Sequence, residues 1–185
     1  MARVKVGSVH GRFQPFHNGH LDYVLQAFDR ADFIWVGLTQ IFRPTDDADL
    51  KNRENANADP LSFRDRAELV EAALVAAGID RSRFRITPFP IEHRQHLDQF
   101  IPSGSVCFTT RVNEWNDEKI KRLSDQGFVV DVLDISVPDN MRVTSGTEIR
   151  RLFRDDDPTW ARFVPPAVAE VISSRMRKQF ALKSD

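Results

Sequence analysis

The sequence predicts an α/β fold, a single Rossmann-like doubly wound parallel sheet of about five strands with helices on both faces. Two observations predict it. Short runs rich in β-branched and aromatic residues alternate with longer stretches whose apolar residues recur every three or four positions. Strands separated by helices in this way form parallel sheets covered on both sides. The length, 185 residues, suits one hydrophobic core, so one domain over 1–185 is expected.

The strands are expected at 4–9, 33–38, 84–87, 106–109 and 128–133, each bounded by Gly, Asp or Pro. The first helix, 19–29, carries Leu21, Val24, Leu25 and Phe28 on one stripe. The second, 62–77, opens on Ser62 with Asp65 three residues on, a capping-box spacing, and stops at Gly78. A shorter amphipathic helix is expected at 116–126, ended by Gly127, followed by helices at 146–153 and 166–180. The polar stretch 40–60 is too long for an ordinary connection and reads as an inserted loop, disordered or closing over a site. A second loop spans 134–144.

Composition narrows the function. A formal net charge of −1 argues against a surface built to coat nucleic acid, and no apolar run approaches the roughly 18 residues of a membrane helix. No secretory signal core follows Met1. The one cysteine, Cys107, sits in an apolar run and reads as a reduced, buried thiol. A cytoplasmic protein free to form a homo-oligomer is the expectation.

Chemistry concentrates at two places. The first strand runs into Gly11-Arg12-Phe13-Gln14-Pro15-Phe16-His17-Asn18-Gly19-His20, where a helix starts. Gly11 permits a tight turn and close approach of a ligand. His17 and His20, three apart across the helix start, place both rings on one side. With the helix N-terminus they form a socket for a polyphosphate, to which Arg12 adds a fixed charge. No third metal ligand stands at usable spacing, which argues against zinc. The glycine patterns of dinucleotide-binding and P-loop sites are missing as well.

The second place is Thr144-Ser145-Gly146-Thr147-Glu148-Ile149-Arg150-Arg151. Ser145 with Glu148 has capping-box spacing, but capping leaves Gly146 and Thr147 in the first turn unexplained. Small residues there keep backbone N–H groups reachable, and Arg150 is placed to clamp a phosphate bidentately.

The first motif resembles the His-x-Gly-His signature of the nucleotidyltransferase superfamily, and the second its Ser-x-Thr-x-x-Arg partner. More closely, the chain resembles archaeal-type nicotinamide-nucleotide adenylyltransferases, in residues 11–20, in Asp59-Pro60-Leu61-Ser62-Phe63-Arg64-Asp65-Arg66, in 145–151, and from Trp160 to Ile172. The resemblance implies transfer of AMP from ATP to nicotinamide mononucleotide, giving NAD and pyrophosphate. The alternative is a cytidylyl- or adenylyltransferase for another phosphorylated or phosphonate metabolite, and a non-catalytic nucleotide sensor is a third reading.

It also implies roles. His17 and His20 donate to the triphosphate, Arg150 clamps its β- and γ-phosphates, and Arg12 lies near the junction of the two substrates. Gly11, Phe13, Gln14, Gly19, Ser145, Gly146 and Thr147 complete the nucleotide set. Mg²⁺ is held through the triphosphate, not by protein side chains. His20→Ala and Arg150→Ala are expected to lower rate with little loss of stability. Toward the acceptor the chain departs from the family. Leu38-Thr39-Gln40 replaces a Gly-Ser-Ala-Gln loop, Ala58 replaces an arginine, and 91–100 lacks the family's tryptophan. Thr39, Gln40, His93, Arg94, Arg111 and Trp115 are the acceptor candidates, with Arg43 or Arg53 replacing the missing arginine.

Overall fold

A computed structural model of the chain describes residues 3–41, 60–110, 114–133 and 145–177. The inserted loop expected at 40–60 falls almost wholly outside the described residues. So do Arg43, Arg53, Ala58, Arg111, the loop 134–144 and positions 178–180. Of Trp115 only the backbone is described.

Five strands form one parallel sheet: β1 (Val4–Gly11), β2 (Ala31–Leu38), β3 (Phe84–Pro88), β4 (Val106–Thr110) and β5 (Val129–Leu133), in the order β3-β2-β1-β4-β5. All five lie within two residues of their expected bounds. The helices are α1 (Asn18–Arg30), α2 (Phe63–Ala76), α3 (Glu114–Ser124), α4 (Gly146–Arg154) and α5 (Pro166–Val171).

The chain gathers into two compact units. The sheet unit comprises Met1–Arg12, Asp22–Gln40 and Ile79–Val137. Alternation along its strands divides the side chains between two faces. Val9, Ile34, Val36 and Phe108 point to one, where Phe28 of α1 meets Phe84 edge to face at 6.5 Å. Trp35, Cys107 and Val130 point to the other, under Leu123 of α3 and the apolar residues Ile91, Leu97 and Ile101. Gly37 lets that second face close, because a Cβ there would lie 2.6 Å from the Phe89 ring. Arg83 ends α1 by donating to the carbonyls of Phe28 and Ala31 at 3.3 and 3.2 Å, a cation at the negative end of the helix dipole.

The helical unit comprises Phe13–Leu21, Ile41–Gly78 and Pro138–Asp185. Here α2 packs on α5, and Ile149, Leu152, Phe153 and Trp160 are buried, the last two rings edge to face at 5.0 Å. Ser62 and Asp65 make the expected reciprocal capping box, and Gly78 takes the left-handed conformation (φ 82°) just past the end of α2.

Four expectations need correction. Helix α3 begins and ends two residues earlier than its periodicity suggested. The helix expected over 166–180 turns π-helical at Ile172–Met176, where the Ser174 hydroxyl donates to the Glu170 carbonyl at 2.7 Å and competes with the backbone ladder. Three 3₁₀ segments, Arg81–Arg83, Ile91–Gln99 and Pro158–Phe163, lie outside the expected elements. The box at Ser145 is only half made. Ser145 accepts from the Glu148 N–H at 3.3 Å, but the Glu148 carboxylate turns to Arg151 at 2.7 and 2.9 Å.

Candidate functional site

The Leu21 N–H donates to the His17 carbonyl at 2.9 Å, the first turn of α1, which makes His17 the N-cap. Its Nδ1 accepts from the His20 N–H at 3.3 Å, and the Nδ1 of His20 accepts from the His17 N–H at 3.4 Å. The two histidines therefore form a capping box from imidazoles, at the N-cap to N3 spacing that Ser and Glu normally occupy. The rings stack at 3.5 Å, inclined by 18°.

This arrangement has a chemical consequence. A neutral imidazole whose Nδ1 accepts carries its proton on Nε2. Capping thus sets the tautomer of both rings and turns each into an Nε2–H donor. Burial lowers the His17 pKa to about 4, so that ring is neutral at pH 7. Phe13, left-handed at φ 53°, seats its buried ring edge to face against His20 at 4.8 Å and Phe16 at 5.3 Å. A Cβ on Gly19 would meet the His17 ring at 3.4 Å, an ordinary contact.

Gln14 links this loop to two other segments. Its side-chain amide donates to the Leu61 carbonyl at 3.0 Å and accepts from the Leu61 N–H at 3.2 Å. Its own carbonyl accepts from the Arg150 guanidinium, which also donates to the Thr147 hydroxyl at 3.1 Å. Gly146 makes the approach possible, since a Cβ there would stand 2.4 Å from the Gln14 carbonyl oxygen. That is the physical need for the first-turn glycine that capping left open. Arg150 is 3% exposed, a fixed cation under the first turn of α4.

The helical unit therefore gathers Phe13, Gln14, His17, Gly19, His20, Ser145, Gly146, Thr147 and Arg150. Gly11 and Arg12 end the first stretch of the sheet unit. The Gly11 carbonyl accepts from the Thr39 N–H at 3.0 Å, and Arg12 is exposed. Gln40 is left-handed at φ 51°. His93, at a kink in the 3₁₀ segment Ile91–Gln99, and Arg94 are both exposed.

The donors gathered at the two helix starts are imidazole, guanidinium, hydroxyl and backbone N–H groups, which suit an anion. Among the described residues no group of three His, Cys, Asp or Glu is placed to hold a metal ion. A divalent cation fits this set through the oxygens of a bound polyphosphate, not as a bare ion.

One functional candidate escaped the sequence reading. His10, in β1, is 2% exposed, and among the described residues neither of its ring nitrogens has a hydrogen-bond partner. The signal was legible: Ser8 and His10 put two polar side chains on the same face of a strand buried on both sides.

A profile of the cytidylyltransferase-like family matches residues 9–152. The chain is 34% identical over 168 residues to a phosphonoformate cytidylyltransferase from Streptomyces viridochromogenes, covering 90% of this chain and 89% of that one. It is 30% identical over 169 residues to a nicotinamide-nucleotide adenylyltransferase from Ignicoccus hospitalis, covering 88% and 87%. A second such adenylyltransferase, from Thermococcus kodakarensis, is 29% identical over 174 residues, covering 91% and 82%. In fold, the chain resembles a bifunctional NMN adenylyltransferase/ADP ribose pyrophosphatase from Francisella tularensis, solved with AMP and a manganese ion. The TM-score is 0.66 at 16% identity, and the match spans 96% of this chain and about half, 52%, of that one. No helix of the described residues is long and apolar enough to cross a membrane.

Proposed function

Because the chain belongs to the cytidylyltransferase-like family, we propose that it is a nucleotidyltransferase joining an acceptor phosphate to the α-phosphorus of a nucleoside triphosphate, with release of pyrophosphate. The reading taken first is ATP and nicotinamide mononucleotide giving NAD. The observation that carries the chemistry is the imidazole capping box, which presents two Nε2–H donors of fixed tautomer at a helix N-terminus.

The steps follow from elementary charge chemistry. An acceptor phosphate has a second pKa of about 6, so it attacks already ionised and needs no general base. Attack breaks the bond from the α-phosphorus to the oxygen it shares with the β-phosphate, and negative charge grows on that oxygen as pyrophosphate leaves. His17 and His20 donate there, and the first-turn N–H groups of α4 with Ser145 and Thr147 hold the triphosphate. Arg150 contributes its charge from beneath and keeps the Gln14 loop in register with α4. In this proposal Arg12 serves the junction of the substrates. A divalent cation, Mg²⁺ in this reading, neutralises triphosphate charge when bound.

The second reading keeps the chemistry and changes the partners: CTP and a small phosphonate. The relative that is 34% identical over nine-tenths of both chains favours it. So do the departures from the adenylyltransferase pattern at Thr39, Gln40 and 91–100. Pyrophosphate release, measured with ATP or CTP against nicotinamide mononucleotide or phosphonoformate, separates the two. Release only with ATP and the mononucleotide supports the first, and only with CTP and the phosphonate the second. A chain that binds triphosphate but releases pyrophosphate with no acceptor is not a transferase of either kind.

A further inference from the structure

Within the sheet unit, β1 and β4 flank the point where the strand order reverses, the place where doubly wound sheets take their ligands. Their ladder ends at Ser8 and Cys107. Beyond it the Tyr23 hydroxyl stands between the strands, accepting from the His10 N–H at 3.3 Å and donating to the Phe108 carbonyl at 2.5 Å. The strands are thereby held apart at their carboxyl ends.

Two side chains there are anomalous. His10 is 2% exposed and Thr109 fully buried, and among the described residues neither ring nitrogen of His10 nor the Thr109 hydroxyl has a hydrogen-bond partner. Each lies two residues beyond the paired Ser8 and Cys107, so alternation puts both on the same face of the sheet. Buried polar groups are nearly always paired, because an unpaired one keeps its full desolvation penalty. A stack on Phe89, at 4.3 Å and 7°, fixes the His10 ring plane. Lys119 of α3 lies close enough for its charge to act on His10 and on Cys107. Burial lowers the Lys119 amine to about 8, which leaves it mostly charged at pH 7. Burial first, then that charge, holds His10 well below its ordinary pKa, so it is neutral, with one nitrogen donating.

An imidazole N–H and a hydroxyl on one face of the sheet, within reach of an ammonium's charge, suit an oxyanion. We propose that His10 and Thr109, backed by Lys119, bind a carboxylate, phosphonate or phosphate oxygen of the acceptor and so determine acceptor specificity. The inference deepens the transferase reading and rests on it. Nucleobases are neutral and give Lys119 nothing to complement, which is why the acceptor is assigned here.

The test uses His10→Leu and Thr109→Val, both of which suit a buried strand. Binding of phosphonoformate and of nicotinamide mononucleotide is read by calorimetry, and turnover is read separately. The proposal expects acceptor affinity to fall about tenfold or more in His10→Leu and less in Thr109→Val. It expects KM for the acceptor to rise while kcat and KM for the triphosphate hold. Unchanged acceptor binding in His10→Leu overturns it, as does a shift confined to the triphosphate, or a wild-type chain that binds neither probe. If wild type binds a probe but turns over neither, and the variants bind it more weakly, the transferase reading fails while the binding site stands.

Discussion

His17 and His20 differ from His10 in how their nitrogens are occupied, and the difference separates preorganisation from recognition. In the helical unit both Nδ1 atoms are taken by backbone N–H groups of the same turn, Gln14 is bound at both ends, and Arg150 is fixed by Gln14 and Thr147. The folded chain has already paired these groups, as a site that stabilises developing charge needs. At the carboxyl end of β1 the reverse holds. His10 is buried with neither ring nitrogen paired among the described residues, which lowers stability, and under the proposal a ligand supplies the partner.

The comparison breaks most sharply at His17. Asparagine is among the best N-caps but lacks the Nε2 donor. His17→Asn should therefore fold about as well as wild type while kcat falls about 10²- to 10³-fold, measured at saturating substrates. Undiminished kcat would leave His17 as a cap alone. Gly146→Ala comes next. Its methyl would press on the Gln14 carbonyl, and overpacking of this kind costs about 1–3 kcal/mol. Thermal or urea unfolding checks it, and an unshifted midpoint would show that the α4 turn yields freely.

The stability expectation from the sequence changes too. His20 holds half of a capping box, so His20→Ala should cost about 0.5–2 kcal/mol besides its loss of rate. Arg150→Ala leaves the Gln14 carbonyl without this donor and should cost about 1–3 kcal/mol. His10→Leu should do the opposite and leave the midpoint unchanged or slightly raised.

Acid gives a smaller, graded effect. His17 has a folded pKa of about 4 against 6.5 for the unfolded chain. Between those values the unfolded state binds more protons, so stability rises with pH there. The contribution is full above about pH 6.5 and fades as pH falls toward 4. His10, lowered in the same direction, adds to the slope. Melting followed from pH 7 to 4.5 should show that slope, and it should flatten in His17→Asn and in His10→Leu. A flat wild-type profile would mean that these rings are not held neutral by the fold.

Much of this was written locally in the sequence. The strands, the Ser62 box, Gly78 and the nearness of His17 to His20 all follow from periodicity and spacing over a few residues. What stayed hidden depends on long-range approach. Gly146 meets Gln14 across more than a hundred residues, and no local pattern reveals that its missing Cβ makes room for a carbonyl. The Glu148 carboxylate was misread because Ser-x-x-Glu spacing fits a capping box equally well whether or not an arginine competes at 151. The double use of His17 and His20 could have been seen, since their separation is the capping-box separation.

The central claim is attack at the α-phosphorus, and labelling that atom tests it directly. With ATP or CTP carrying ³²P at the α-position and an acceptor that supports turnover, the account predicts label in the nucleotidyl–acceptor product and unlabelled pyrophosphate. Label retained in a nucleoside diphosphate, with the unlabelled γ-phosphoryl group carried by the acceptor or, after attack by water, released as orthophosphate, would place the attack at the γ-phosphorus and contradict it.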